Sequence, residues 1–218
     1  MSAQPAIRRV EIEIEARAAA LPGDLSLPEG AKGLVLFAHG SGSSRMSSRN
    51  RYVASVLNAS GIATLLFDLL TPEEDADHER RFDIPLLAER LEAAVRWSQA
   101  HSETKGLRIG LFGASTGAAA ALSVAATLGS DIRAVVSRGG RPDLAWDGLP
   151  LVRCPTLLIV GSWDEQVLEL NRKAIARMPE ETAKELSIVP GATHLFEEQG
   201  KIEEVARLAA DWFLRHLA

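Results

Sequence analysis

Residues Val10 to Ala16 alternate apolar and charged positions, the period of a strand with one wet face. Leu21 to Pro28, with Pro22-Gly23 near its start, reads as the hairpin partner of that strand. After this antiparallel opening the pattern changes. GLVLFAHG (33–40), IATLLFDLL (62–70), LRIGLFG (107–113), IRAVVSRGG (132–140), TLLIVGS (156–162) and ELSIVPG (185–191) are short and apolar almost throughout, as strands covered on both faces are. Between them lie helix-like stretches at Ser48–Ser60, Pro85–His101, Ser115–Leu128, Glu165–Met178 and Lys201–Leu217. In the second of these, Leu87, Leu91, Ala94 and Val95 recur at the steps that make one apolar helix face. So regular an alternation predicts an α/β fold: a mostly parallel central sheet with helices on both faces, joined by right-handed crossovers. The charged segment TPEEDADHERRFD (71–83) interrupts it and reads as a solvated loop.

Composition narrows the class. A chain of 218 residues, 46% hydrophobic and 24% charged, suits one globular domain over residues 1–218. A net charge of −5 gives the whole molecule no pull toward nucleic acid or an anionic membrane, so a small-molecule substrate is the expected partner, met by a monomer or homodimer. The single cysteine, Cys154, can make no internal disulfide, and MSAQPAIRRVEIEIEA lacks the basic-then-apolar layout of a leader. No run of about 18 apolar residues spans a bilayer, and a cytoplasmic location is expected. His39, His78, His101, His194 and His216 lie too far apart for a metal-binding spacing, so no metal is expected.

In sheets of this kind ligands bind outside the carboxyl ends of the strands. That rule alone selects His39-Gly40-Ser41, Asp68, Ser115, Arg138, Asp164 and His194. Among them Gly113-Ala114-Ser115-Thr116-Gly117 has the G-x-S-x-G spacing, and it closes an apolar strand and opens an alanine-rich helix. There a sharp turn lifts a serine hydroxyl off the sheet edge, and side chains at the glycine positions would collide with the turn. The plainer alternative is that both glycines only allow tight strand–helix packing. A serine needs a base, and the base needs an orienting acid. His194 follows the last strand in PGATHLFEE, and Asp164 follows the preceding one in VGSWDEQV; Glu165 better serves the first turn of the next helix. His39 more plausibly braces its own glycine loop. The N–H of Thr116, directly after the serine, is the first candidate to stabilise an oxyanion.

AHGSGSSR, GASTGAA, GSWDEQV and GATHLF, in that order and spread over nearly the whole chain, make the sequence resemble an α/β-hydrolase, and more narrowly the dienelactone-hydrolase-like serine esterase branch. The resemblance implies small carboxylic esters or lactones as substrates, a catalytic set of Ser115, His194 and Asp164, no cofactor, and a second oxyanion donor at the Ser41 amide. Dienelactone hydrolases proper carry a cysteine where Ser115 stands, which puts the lactone substrate in doubt. The segment from Arg138 to Pro155 has little room for the helical cap that many α/β-hydrolases insert there, so an open site without a cap domain is expected. Arg45, Arg49, Arg51, Arg138 and Arg141 are placed to hold a carboxylate-bearing substrate, Arg138 best of all. Met46, Trp146 and Trp163 are candidates to line the mouth; they are bulkier than the resembling family suggests, which leaves an engineered variant open. Two other functions stay open: acyl transfer or perhydrolysis with the same three side chains, and an inactive binding module on the same fold.

Overall fold

A computed structural model describes residues 6–17 and 19–217; the first five residues of the stretch read above as lacking a leader lie outside the described residues. Strands β1 (Ile7–Ala16) and β2 (Ala19–Pro28) form the expected hairpin in full antiparallel register, Ile14 opposite Leu21. They join β3 (Gly33–Ala38), β4 (Ala63–Phe67), β5 (Arg108–Ala114), β6 (Ile132–Arg138), β7 (Thr156–Gly161) and β8 (Lys184–Val189) in one sheet of order β1-β2-β4-β3-β5-β6-β7-β8. β2 meets β4 antiparallel, and from β4 to β8 every pairing is parallel. Helices α1 (Ser48–Ala59) and α6 (Lys201–Leu217) cover one face, over Val35, Phe37, Phe112 and Val136. Helices α3 (Ile84–Ala100), α4 (Thr116–Leu128) and α5 (Glu165–Arg177) cover the other, over Leu34, Leu36, Leu111 and Val135. That burial on both sides is why the strand sequences are apolar at successive positions: β3, β4 and β7 bury every residue.

The structure departs from the sequence expectation in three places. β8 is an edge strand in which only Val189 is fully buried, so its apolar run is half wet. The segment 71–83 contains a short helix α2 (Pro72–Asp75), with Thr71 and Glu74 forming a reciprocal capping box. That segment is also tied down: the Glu74 carboxylate accepts from the buried Arg90 guanidinium at 3.0 Å, and Arg90 in turn donates to the Ala16 carbonyl. Finally, β6 stops at Arg138, because Gly139 takes φ of +52°. Only two 3-10 turns, Pro142–Ala145 and Leu149–Leu151, separate β6 from β7, and no helical cap forms there. Among the described residues no helix is long and apolar enough to cross a membrane.

α6 docks closely because two strand residues lack side chains. A Cβ built on Gly110 would lie 2.7 Å from Phe213 Cε1, and one on Gly33 would lie 2.6 Å from Leu217 Cβ. A stiff aromatic ring in a packed core has nowhere to go. Gly110→Ala is therefore expected to lower the unfolding free energy by about 1–3 kcal/mol in urea denaturation, through displacement of α6 rather than loss of any bond.

Candidate active site

The chain has one residue in which to turn from β5 into α4. Ser115 supplies it with φ of +51° and ψ of −119°, a conformation that non-glycine residues adopt only when the surroundings enforce it. The enforcement is visible on both sides. A Cβ on Gly113 would sit 2.4 Å from Ala118 Cα, and one on Gly117 would sit 2.2 Å from the Ala38 carbonyl oxygen. Any side chain at either place would force α4 off the sheet. Ser115 occupies the N-cap position of α4, yet its hydroxyl makes no capping bond to that helix. The backbone holds the turn instead: Ser115 N–H donates to Arg138 O at 3.2 Å, and Ser115 O accepts from Arg141 N–H at 3.1 Å.

His194 and Asp164 come from neighbouring loops stitched together at the ends of β7 and β8. Trp163 N–H donates to Ala192 O at 3.0 Å, and Gly191 N–H donates to Ser162 Oγ at 2.8 Å. Gly161 lets the two loops cross, since a Cβ there would lie 2.2 Å from the Ala192 carbonyl oxygen. The result is a 2.6 Å hydrogen bond between His194 Nδ1 and Asp164 Oδ2. A carboxylate can only accept, so Nδ1 carries a proton and, in the neutral tautomer this bond selects, Nε2 is the nitrogen with the lone pair. The imidazole packs against Gly139, within 3.4 Å of where a Cβ would be, and Gly139 directly follows the residue whose carbonyl holds Ser115 N–H. Serine and histidine thus share one short piece of backbone.

The loop after β3 closes the opposite side. A Cβ on Gly40 would lie 3.1 Å from Ser115 Cβ, which places this loop against the serine. His39 is buried and bonded at both nitrogens: Nε2 accepts from Leu69 N–H at 3.0 Å, so Nδ1–H donates to Gly40 O at 3.1 Å. Burial pushes the His39 pKa down, and the neutral ring is the form these bonds require. Asp68, at the end of β4, anchors the rest of the loop by accepting from Arg45 N–H at 2.7 Å and from the Arg45 guanidinium. Sequence reasoning named Asp68 only by its place after a strand; this anchoring role has no local motif. The amide of Thr116, first residue of α4, has no acceptor within its helix, and among the described residues the Ser41 amide donates to no loop carbonyl.

The remaining candidates separate. Arg45 and Arg141 are held by carboxylates of their own chain, Arg141 by Asp143 at 2.7 and 2.8 Å. Arg51 reaches Met46 Sδ at 3.9 Å, and Met46 is an exposed residue of the β3 loop. Trp163 adjoins Asp164, but its indole lies over Gly191. Trp146 is not brought to the site. It packs under Arg177, 4.8 Å from the guanidinium carbon, at the last turn of α5 and so toward the opposite edge of the sheet. Arg81, from the segment read as a solvated loop, folds back beside Gly42 and is held there by Asp75. Cys154 is buried, and that burial raises its thiol to about 11, far from reactive. Among the described residues no cluster of three or more His, Cys, Asp or Glu could hold a metal ion.

Comparison with known proteins gives this geometry a context. Residues 47–217 match the profile of the dienelactone hydrolase family. A dienelactone hydrolase from Anabaena variabilis is 50% identical, with a TM-score of 0.93 over 99% of this chain and 100% of that one. An esterase of Pyrococcus furiosus, 19% identical, shares the fold with a TM-score of 0.76 over 97% of this chain and 92% of its own. A protein of Mycobacterium tuberculosis strain H37Rv, named as a conjectural phosphoribosyl transferase, is 56% identical over 216 residues. That match takes in 99% of this chain and 48% of the relative, so the chain spans about half the length of the curated relatives it matches.

Acid should loosen the loop after β3. The unfolded chain protonates His39 near its ordinary value of 6.5, and the folded one only at lower pH. The stability from the neutral ring is therefore complete above that value and drains as pH falls below it. Unfolding free energy measured by urea between pH 7 and about 5 is expected to fall more steeply for the wild type than for His39→Gln, which is less stable at neutral pH.

Proposed function

The chain belongs to the dienelactone hydrolase family, and from that membership we propose that it is a serine hydrolase cleaving small carboxylic esters or lactones through an acyl-enzyme on Ser115. The observation that carries the proposal is the 2.6 Å bond from His194 Nδ1–H to Asp164, with the imidazole seated on Gly139 next to the backbone that holds Ser115 at positive φ.

In the proposed reaction Ser115 Oγ attacks the substrate carbonyl as His194 Nε2 takes its proton. Asp164 stays ionised, fixes the tautomer and steadies the imidazolium that forms. The carbonyl oxygen becomes negative between the Ser41 and Thr116 amides, at the N-terminus of α4, where the helix field favours negative charge. Collapse of the tetrahedral intermediate expels the alcohol, which takes the proton back from His194. Water, deprotonated by the same nitrogen, then cleaves the acyl ester and restores the free hydroxyl.

Acyl transfer to another acceptor uses the same groups, and product analysis with and without that acceptor separates it from hydrolysis. The phosphoribosyl transfer in the mycobacterial relative's name belongs to a protein of which this chain spans about half, and no contact described above favours it here.

A fluorophosphonate is expected to add one adduct to the intact mass of the wild type and none to Ser115→Ala. For p-nitrophenyl acetate, Ser115→Ala is expected to abolish turnover, and Asp164→Asn to lower kcat by about 10³- to 10⁴-fold while the fold persists. Folded protein that takes no label would point to the binding-module reading.

A further inference from the structure

Arg138 is a buried charged side chain beside the candidate site that the proposed chemistry does not use. Arg138 ends β6, its carbonyl accepting from Ser115 N–H, and its side chain shares the face of Ala134 and Val136, under α1 and α6. It is 7% exposed, and its guanidinium stands 6.0 Å from the centre of the Phe196 ring. Among the described residues it is paired with no carboxylate, and its Nε is buried without an acceptor. A buried charge in that state is costly unless something neutralises it.

The neighbouring charge has the same sign. Burial brings Arg138 down to about 10, and a smaller push in the same direction comes from the positive charge of Arg49, in the first turn of α1. Arg49 Nη1 donates to Glu197 at 2.9 Å, but its Nε is also buried with no acceptor. Phe196 and Glu197 are consecutive, so independent contacts bring both guanidinium groups to the same corner, just beyond His194 in the chain. Phe196 itself is fixed there at φ of +56°. α1 is capped by the neutral Ser47 hydroxyl, which accepts from Asn50 N–H, and has no acidic residue in its first turn, so no negative charge of its own offsets the partial positive end of that helix. Among the described residues the carboxylate paired with these two guanidinium groups is Glu197, itself 63% exposed. The corner keeps a net positive charge, and the attraction it exerts grows with the charge of the anion, so a phosphate dianion is drawn there more strongly than a singly charged carboxylate.

We propose that the corner formed by Arg138 and Arg49 is an anion subsite, adjoining the ester-cleaving site on its His194 side, that takes the phosphate monoester group of a phosphorylated ester substrate. This deepens the serine-hydrolase reading and rests on it. The phosphate is a handle: no bond to phosphorus forms or breaks, and the carboxylic ester is cleaved as described above. Arginine suits the task because its fork donates to two phosphate oxygens at once.

Inorganic phosphate is the direct probe. At constant ionic strength it is expected to raise the Tm of the wild-type chain with saturation, and to raise the KM for 2-acetoxyethyl phosphate competitively. Acetate at the same concentration should do much less. Arg49→Gln and Arg138→Met should each weaken phosphate binding by about tenfold or more, with Arg138→Lys retaining part of it. With 2-acetoxyethyl phosphate and its neutral counterpart 2-acetoxyethanol, the preference for the phosphorylated ester should fall by a similar factor in Arg49→Gln. A Tm no higher than in sodium chloride, an equal response to acetate, or a response untouched in both Arg49→Gln and Arg138→Lys overturns the subsite. If Arg138→Met does not fold, the other two variants decide. Ser115→Ala keeps the phosphate response on this proposal. Failure of fluorophosphonate labelling with that response intact therefore removes the serine chemistry and leaves the subsite.

Discussion

Everything at the candidate site depends on how little space separates α4 from the sheet. The helix begins directly after β5, its first turn lies within van der Waals contact of the β3 loop, and the Ala38 carbonyl oxygen sits where a side chain on Gly117 would be. That closeness leaves Ser115 no relaxed conformation, and it keeps the serine at the sheet edge. It also aligns the helix amides with the hydroxyl they would assist. Alanines 118 to 121, all fully buried, are what such an approach demands of the next turn.

Around that fixed point the parallel sheet does the gathering. Because β3 to β7 run the same way, the loops after β3, β5, β6 and β7 and the loop after β8 emerge along one edge. The loops then brace one another through hydrogen bonds in which at least one partner is a backbone group. Ser115 is held by Arg138 and Arg141, the His194 loop by Trp163 and Ser162, and the β3 loop by His39 and Asp68. A site fixed by main-chain bonds loses little conformational entropy when a substrate arrives.

Much of this was legible in the chain. Strands buried on both faces announce themselves as unbroken Val, Ile and Leu runs, and the order of Ser115, Asp164 and His194 follows from which loop each occupies. β8 misled because an edge strand with apolar residues reads the same as a central one; only its neighbours, or their absence on one side, tell the two apart. Trp146 misled because a segment of 3-10 turns has no periodicity to give its direction, and this one runs down beside α5 to the far edge. Residues 71–83 look like solvent-loving charge, yet Arg90, from the following helix, and Arg81 tether them to the body of the domain. Pairings across 16 residues, such as Arg90 with Glu74, leave no local signature. Nor does the contrast between Arg45 and Arg138, one neutralised and one not, since carboxylates distant in sequence decide it.

The brevity of the connection between β6 and β7 has a kinetic consequence for the proposed reaction. Two 3-10 turns make no roof, so solvent reaches a serine-bound acyl group as freely as any dissolved alcohol or amine does. Enzymes that hand acyl groups to dilute acceptors depend on keeping water away from the intermediate. In the proposed reaction, a surface without that roof would let the most abundant nucleophile win by mass action, and the acyl group would leave as a free acid.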